Sequence, residues 1–248
     1  MLKPAVILVA LVAVALATYA AYTARATWIR EKIAMLSAPA SSVHAAGNAS
    51  LPAKGTRPRV VLIGDSRIAQ WPLGALSERF EIINRGVGGE TVPQIAQRFG
   101  TDAIALKPDA IVIEAGINDL VAAVFMDEPE KRQVAGNIGE TLRRLAAQAA
   151  ESGSRVFVAT VIPPGRPDLL RLQVWKESLR DLVVETNADL RRSRWPERVS
   201  LMDLSPVLLS GDQRQLPDAY RLDTLHLNEA GYQRMTEALA SHLQSHLR

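Results

Sequence analysis

Val60-Val61-Leu62-Ile63-Gly64-Asp65-Ser66-Arg67 is the stretch that decides how this chain is read. Four apolar residues lie between Pro58 and Gly64, which is the pattern of a short buried strand ending in a tight turn. A serine follows at once. In open parallel α/β sheets, ligands bind beyond the carboxyl ends of the strands, near the point where strand order reverses. Ser66 therefore stands where a nucleophile is useful. Asp65 and Ser66 are also good helix N-caps, and on this stretch alone capping is the plainer account.

Outward from this strand, strands and helices alternate. Further short strands are expected at 81–84, 110–114, 155–162 and 199–204. Helices are expected at 71–79, 92–99, 129–151, 173–192 and 228–246. In 129–151, Val134, Ile138, Leu142 and Leu145 recur at helical spacing, and Gly153 stops the run. This alternation predicts an α/β fold, with a parallel sheet covered by helices on both faces. The strands are apolar throughout rather than alternating, as a sheet buried on both faces requires.

The chain has 248 residues, enough for one sizeable domain and an appendage. Residues 4–22 carry no charge. That is about 19 residues, close to what crosses a bilayer as a helix. Tyr19, Tyr22 and Trp28 suit a membrane interface. The stretch reads as an uncleaved anchor, or as a signal peptide cleaved after Ala15-Leu16-Ala17. Residues 1–32 are assigned to this segment and its flank, 33–57 to a flexible linker rich in Ala, Ser, Pro and Gly, and 58–248 to the folded domain. Lys3 on one side, with Arg25, Arg30 and Lys32 on the other, leave orientation open under the positive-inside rule. The layout of a short N-terminal tail before a domain favours an extracytoplasmic, periplasmic domain, or secretion if the segment is cleaved.

The net charge of +3 is scattered, with no basic stripe interleaved with aromatics, so nucleic acid is not an expected partner. With no cysteine there is neither disulfide nor thiol nucleophile, and four histidines without metal-ligand spacing predict no metal site.

Polar or glycine-rich clusters follow the first three strands and precede the last helix. Each has an ordinary reading on its own. Gly86, Gly88 and Gly89 permit a tight turn; a dinucleotide fingerprint lacks its third glycine, where Thr91 stands, and follows the wrong strand. Asn118 and Asp119 suit a turn. Together they form a functional set. A serine hydroxyl needs a general base, and the base an orienting carboxylate; Ser66, His226 and Asp223 supply all three. The oxyanion of acyl transfer needs donors, for which the candidates are the N–H groups of Ser66 and Gly89 and the side-chain amide of Asn118.

Gly64-Asp65-Ser66, the block 84–91, Gly116-Ile117-Asn118-Asp119 and Asp223-x-x-His226 resemble the four sequence blocks of the SGNH (GDSL-type) hydrolases, in that family's order. No G-x-S-x-G elbow is present, which disfavours the larger α/β-hydrolase fold. The resemblance implies a flavodoxin-like three-layer α/β/α sandwich with a five-stranded parallel sheet, and serine esterase chemistry without a cofactor. It implies Ser66 as nucleophile, His226 as base, Asp223 as its orienter, and Ser66, Gly89 and Asn118 as the oxyanion hole. Asp65, Asn84 and Asp119 are then supporting residues that hold loops. Arg67 departs from the apolar or small residue usual after the nucleophile. It reads as a salt bridge on a helix face or as an anion contact at the mouth of the site.

The leading functional expectation is a membrane-tethered esterase acting on lysophospholipid or thioester acyl groups. Leu169, Leu170, Leu172, Val174 and Trp175 line an acyl groove on this reading, or else start a packed helix. The alternatives are a carbohydrate O-acetyl esterase or acetyltransferase acting on envelope polysaccharide, and a non-catalytic tethered module.

Overall fold

The computed structural model describes residues 4–169, 171–209 and 214–247. The five apolar runs form strands β1 (Arg59–Gly64), β2 (Glu81–Gly86), β3 (Ala110–Glu114), β4 (Arg155–Ala159) and β5 (Val199–Met202). They make one parallel sheet in the order β2-β1-β3-β4-β5. The register puts Gly64 between Gly86 and Glu114 at its carboxyl edge. The chain leaves β1 for one neighbour and returns on its other side, so the crevice at this reversal opens directly above Asp65 and Ser66.

Helices among the described residues are α1 (Pro4–Ala34), α2 (Ala45–Ala49), α3 (Ser66–Ala69), α4 (Val92–Asp102), α5 (Ile117–Ala123), α6 (Glu128–Glu151), α7 (Ser178–Arg192), α8 (Ser205–Leu208) and α9 (Glu229–His246). Successive strand residues point to opposite faces. Val61, Ile63, Ile111, Ile113, Val156 and Val158 pack with residues of α4, α6 and α7. Val60, Leu62, Val112 and Phe157 pack with Met235, Leu239 and Leu243 of α9. Each such side chain, once buried, is worth about 1.5–3 kcal/mol. The result is the expected α/β/α sandwich.

The differences from expectation are local. β4 stops at Ala159 rather than at 162. The side chain of Asn187 on α7 takes the place of a neighbouring strand, accepting from Val161 N–H and donating to its carbonyl, both at 2.8 Å. The helix expected at 71–79 is a 3-10 turn at Leu73–Leu76, because Pro72 and Gly74 interrupt it. α7 starts at Ser178, not 173. α5 was read as a turn; its Leu120, Val121, Ala122 and Ala123 are all buried, so no polar face betrays its period.

α1 is 31 residues long, and its most apolar window has a mean hydropathy of 2.3 with no residue of that window buried, so it is long and apolar enough to cross a membrane. The segment expected to be a flexible linker instead lies along the domain. Ser41 N–H donates to Glu90, His44 Nε2 is 3.2 Å from Gly86 O, and Asn48 Nδ2 donates to Asp102 at 2.6 Å. Its polar groups find buried partners, which composition alone does not show.

Candidate active site

Ser66 opens α3, and the cap of that helix is Asp65, whose carboxylate accepts from Arg67 N–H at 2.9 Å. Capping thus falls to Asp65 and leaves the Ser66 hydroxyl available. Ser66 Oγ lies 3.0 Å from His226 Nε2, and His226 Nδ1 lies 2.8 Å from Asp223 Oδ2. The other carboxylate oxygen of Asp223 accepts the N–H groups of Leu225 at 2.7 Å and His226 at 2.9 Å. Burial pushes the Asp223 carboxyl up, but the bonds from the His226 ring and these two N–H groups outweigh it and bring its pKa down to about 2. An ionised carboxylate there holds the ring so that Nε2 faces the hydroxyl as an acceptor.

The loop carrying Asp223 and His226 is a closed unit. Arg221 bridges Leu227, Leu222 N–H donates to His226 O at 2.8 Å, and Asn228 caps α9 while its amide donates to Ala219 O. Arg67 ties this loop to β1. Its Nε donates to Leu225 O at 3.0 Å and its guanidinium to Ile162 O at 2.8 Å. Arg67 is 0% exposed and 3.5 Å from the equally buried Glu114. Of its two expected roles, the pairing with a carboxyl group is the one present, and it lies inside the fold rather than on a helix face, with that carboxyl held mostly protonated at neutral pH. Burial raises both Asp65 and Glu114, against the pull of Arg67, with Glu114 reaching about 8.

Gly89 has φ +81°, a conformation only glycine adopts without strain. Gly86 must lack a side chain for a different reason: a methyl there would collide with the backbone of Ala69. Asn118 Nδ2 donates to Glu90 O at 3.0 Å and makes only a long 3.5 Å contact with Asp65, so one amide hydrogen has no strong acceptor. Asn84 donates to Ile68 O at 2.7 Å and accepts from Gly86 N–H at 2.9 Å, joining β2 to α3. Asp119 accepts Val92 N–H at the start of α4, and burial pushes its carboxyl up to about 7.

Several contributors escaped the sequence reading. Arg98, buried on α4, donates to Gly64 O, Arg85 O, Glu90 and Asp102, pinning the carboxyl ends of β1 and β2 together. Trp28, Arg25 and Lys32 of α1 line the cleft of about 610 Å³ that contains Ser66 and His226. Their spacing at i, i+3 and i+7 was the available signal. Of the expected groove residues, Val174 lines this cleft and Trp175 an adjoining one. Leu169 and Leu172 are exposed, and Leu170 lies outside the described residues.

Residues 50–234 match the GDSL-like lipase/acylhydrolase family, and the chain belongs to that family. It is 25% identical over 183 residues to an acetylxylan esterase of Xylanibacter ruminicola, covering 68% of this chain but only 36% of that protein. Among solved structures, a candidate acylhydrolase from Bacteroides fragilis superposes with TM-score 0.70 at 24% identity, covering 83% of this chain and 96% of the other. A GDSL-like lipase from Bacteroides thetaiotaomicron superposes with TM-score 0.66 at 21% identity, over 82% and 97%. At these identities the likeness is one of fold.

Proposed function

We propose that this chain is a serine esterase held at a membrane by α1, hydrolysing acyl esters of the lysophospholipid or thioester kind. The observation that carries the reading is the continuous chain Asp223–His226–Ser66, with links of 2.8 and 3.0 Å. Ser66 Oγ attacks the acyl carbon while its proton passes to His226 Nε2. The oxyanion forms against Ser66 N–H, Gly89 N–H and the Asn118 amide. As the tetrahedral species collapses, His226 returns the proton to the departing alcohol or thiol. Water then enters, loses a proton to His226 and releases the acid, regenerating Ser66. No step calls for a metal or cofactor. Apolar Ile117, Val121 and Val174 beside Ser66 suit an acyl chain. The uncharged span before Arg25 supports anchoring, and the layout of a short N-terminal tail before a domain is what favours the extracytoplasmic side.

Ser66→Ala should lower kcat on 4-nitrophenyl esters at least a thousandfold and abolish labelling by a fluorophosphonate. Unchanged turnover in that variant would falsify the mechanism. A second reading, a carbohydrate O-acetyl esterase using the same residues, is favoured by the Xylanibacter relative. Rates across 4-nitrophenyl esters of graded length separate the two: a steep preference for acetyl supports the second, and a rise with chain length the first.

A further inference from the structure

The cleft holding Ser66 and His226 is also lined by Arg25, Lys32 and Arg171, and by no Asp or Glu among the described residues. Arg67, the fourth cation there, is fully buried against Glu114 and presents no charge outward. Lys32 is half-buried, with its ammonium 5.7 Å from the Trp28 ring centre, and makes no ion pair among the described residues. Burial and the nearby Arg171 both disfavour its charge, and the neighbouring Glu31 offsets them only in part. The Arg171 side chain has, among the described residues, only a loose 3.7 Å contact with Asp168. Like charges gathered at a partly apolar cleft oppose folding, and an entering anion offsets that cost.

The position of this rim points to the source of the anion. Ala21, Ala24, Arg25, Trp28 and Lys32 form one stripe of α1. The stripe starts where the uncharged span ends, and at 1.5 Å per residue Lys32 lies about 16 Å along the axis from Ala21. The mouth therefore opens at the level of lipid headgroups.

We propose that the end of α1 is a wall of the substrate site, and that Lys32 and Arg171 hold the phosphate of an anionic single-chain lipid whose acyl ester is presented to Ser66. Trp28, Val121 and Val174, shared with the adjoining apolar cavity, guide the acyl chain. This rests on the serine esterase reading above.

The test uses the full chain in nanodiscs of neutral phosphatidylcholine, given lysophosphatidate and the monoacylglycerol of the same chain length. The readout is the ratio of their kcat/KM values. The wild type should prefer lysophosphatidate at least tenfold. Lys32→Gln and Arg171→Gln should each cut that ratio about tenfold, mainly through KM for the phosphate-bearing lipid, and Lys32→Arg should restore it. A wild-type ratio near one, or a ratio unmoved in both Gln variants, overturns the proposal. Faster turnover of an O-acetylated uronic acid oligosaccharide than of lysophosphatidate overturns the lipid assignment. Failure of the wild type on 4-nitrophenyl acetate as well would instead remove the esterase reading on which the proposal stands.

Discussion

Arg67 shows how one residue next to the proposed nucleophile can serve it from behind. Its guanidinium satisfies a buried carbonyl on Ile162 and a half-buried one on Leu225, the residue before His226. Arg67→Met leaves Leu225 O and Ile162 O without these donors, at about 1–3 kcal/mol each. A fall in melting temperature of about 4–24 °C follows at roughly 2–4 °C per kcal/mol. The loosened His226 loop should also lower kcat on 4-nitrophenyl acetate more than tenfold; parental kcat would show that the loop is held by other means. Glu114, across from Arg67, gives a pH prediction. Its carboxyl rises from 4.5 to about 8 on folding, through burial first and the neighbouring Asp65 second. The folded state then holds the proton more tightly, so this contribution to stability is full below pH 4.5 and is lost as pH rises through about 8. Glu114→Gln, which mimics the protonated acid, should melt close to the parent at pH 5 and at least about 4 °C above it at pH 9. Parallel melting curves over that range would count against a buried, protonated Glu114.

Between the apolar span and the domain, the segment around α2 carries a prediction about where the chain can be cut. Asn48 bonds both Asp102 and Arg85, and Ser41 N–H bonds Glu90, so this segment neutralises polar groups on α4 and β2. Removing residues 1–37 leaves these bonds, whereas removing 1–53 breaks them. The longer deletion should melt about 5–10 °C below the shorter, the effect of losing about 2–3 kcal/mol. Equal melting temperatures would show that the segment lies on the domain without stabilising it. Legibility in the sequence follows the same physics. Strand and helix positions were readable wherever burial imposes a period, as with Ile138, Leu142 and Leu145 of α6. α5 was not, being buried all round, and the docking of 38–57 was not, since hydrogen bonds between distant residues leave no local pattern. The three-residue relay was proposed from residue types and block order. Arg67 was singled out only as a departure after the serine and Arg98 not at all, because charge in a sequence does not announce burial.

At the scale of the whole molecule, strand order β2-β1-β3-β4-β5 gathers the loops after β1, β2 and β3 at one edge of the sheet, with α1 laid beside them. Trp28 meets the Phe125 ring edge-on, at 87° and 5.7 Å between centres, which fixes that helix against the domain next to α5. The full chain should stay with membranes through alkaline carbonate extraction, while a chain lacking residues 1–37 should be released; release of both would remove α1 as an anchor. The separation of Ser66 and His226 along the chain has a further consequence. His226 lies 160 residues after Ser66. During synthesis the apolar helix emerges first and the serine next, and for most of the translation time that serine has no base beside it. On the proposed mechanism, a nascent chain carries a serine without its base until residue 226 is made, so hydrolysis begins only on the nearly finished chain.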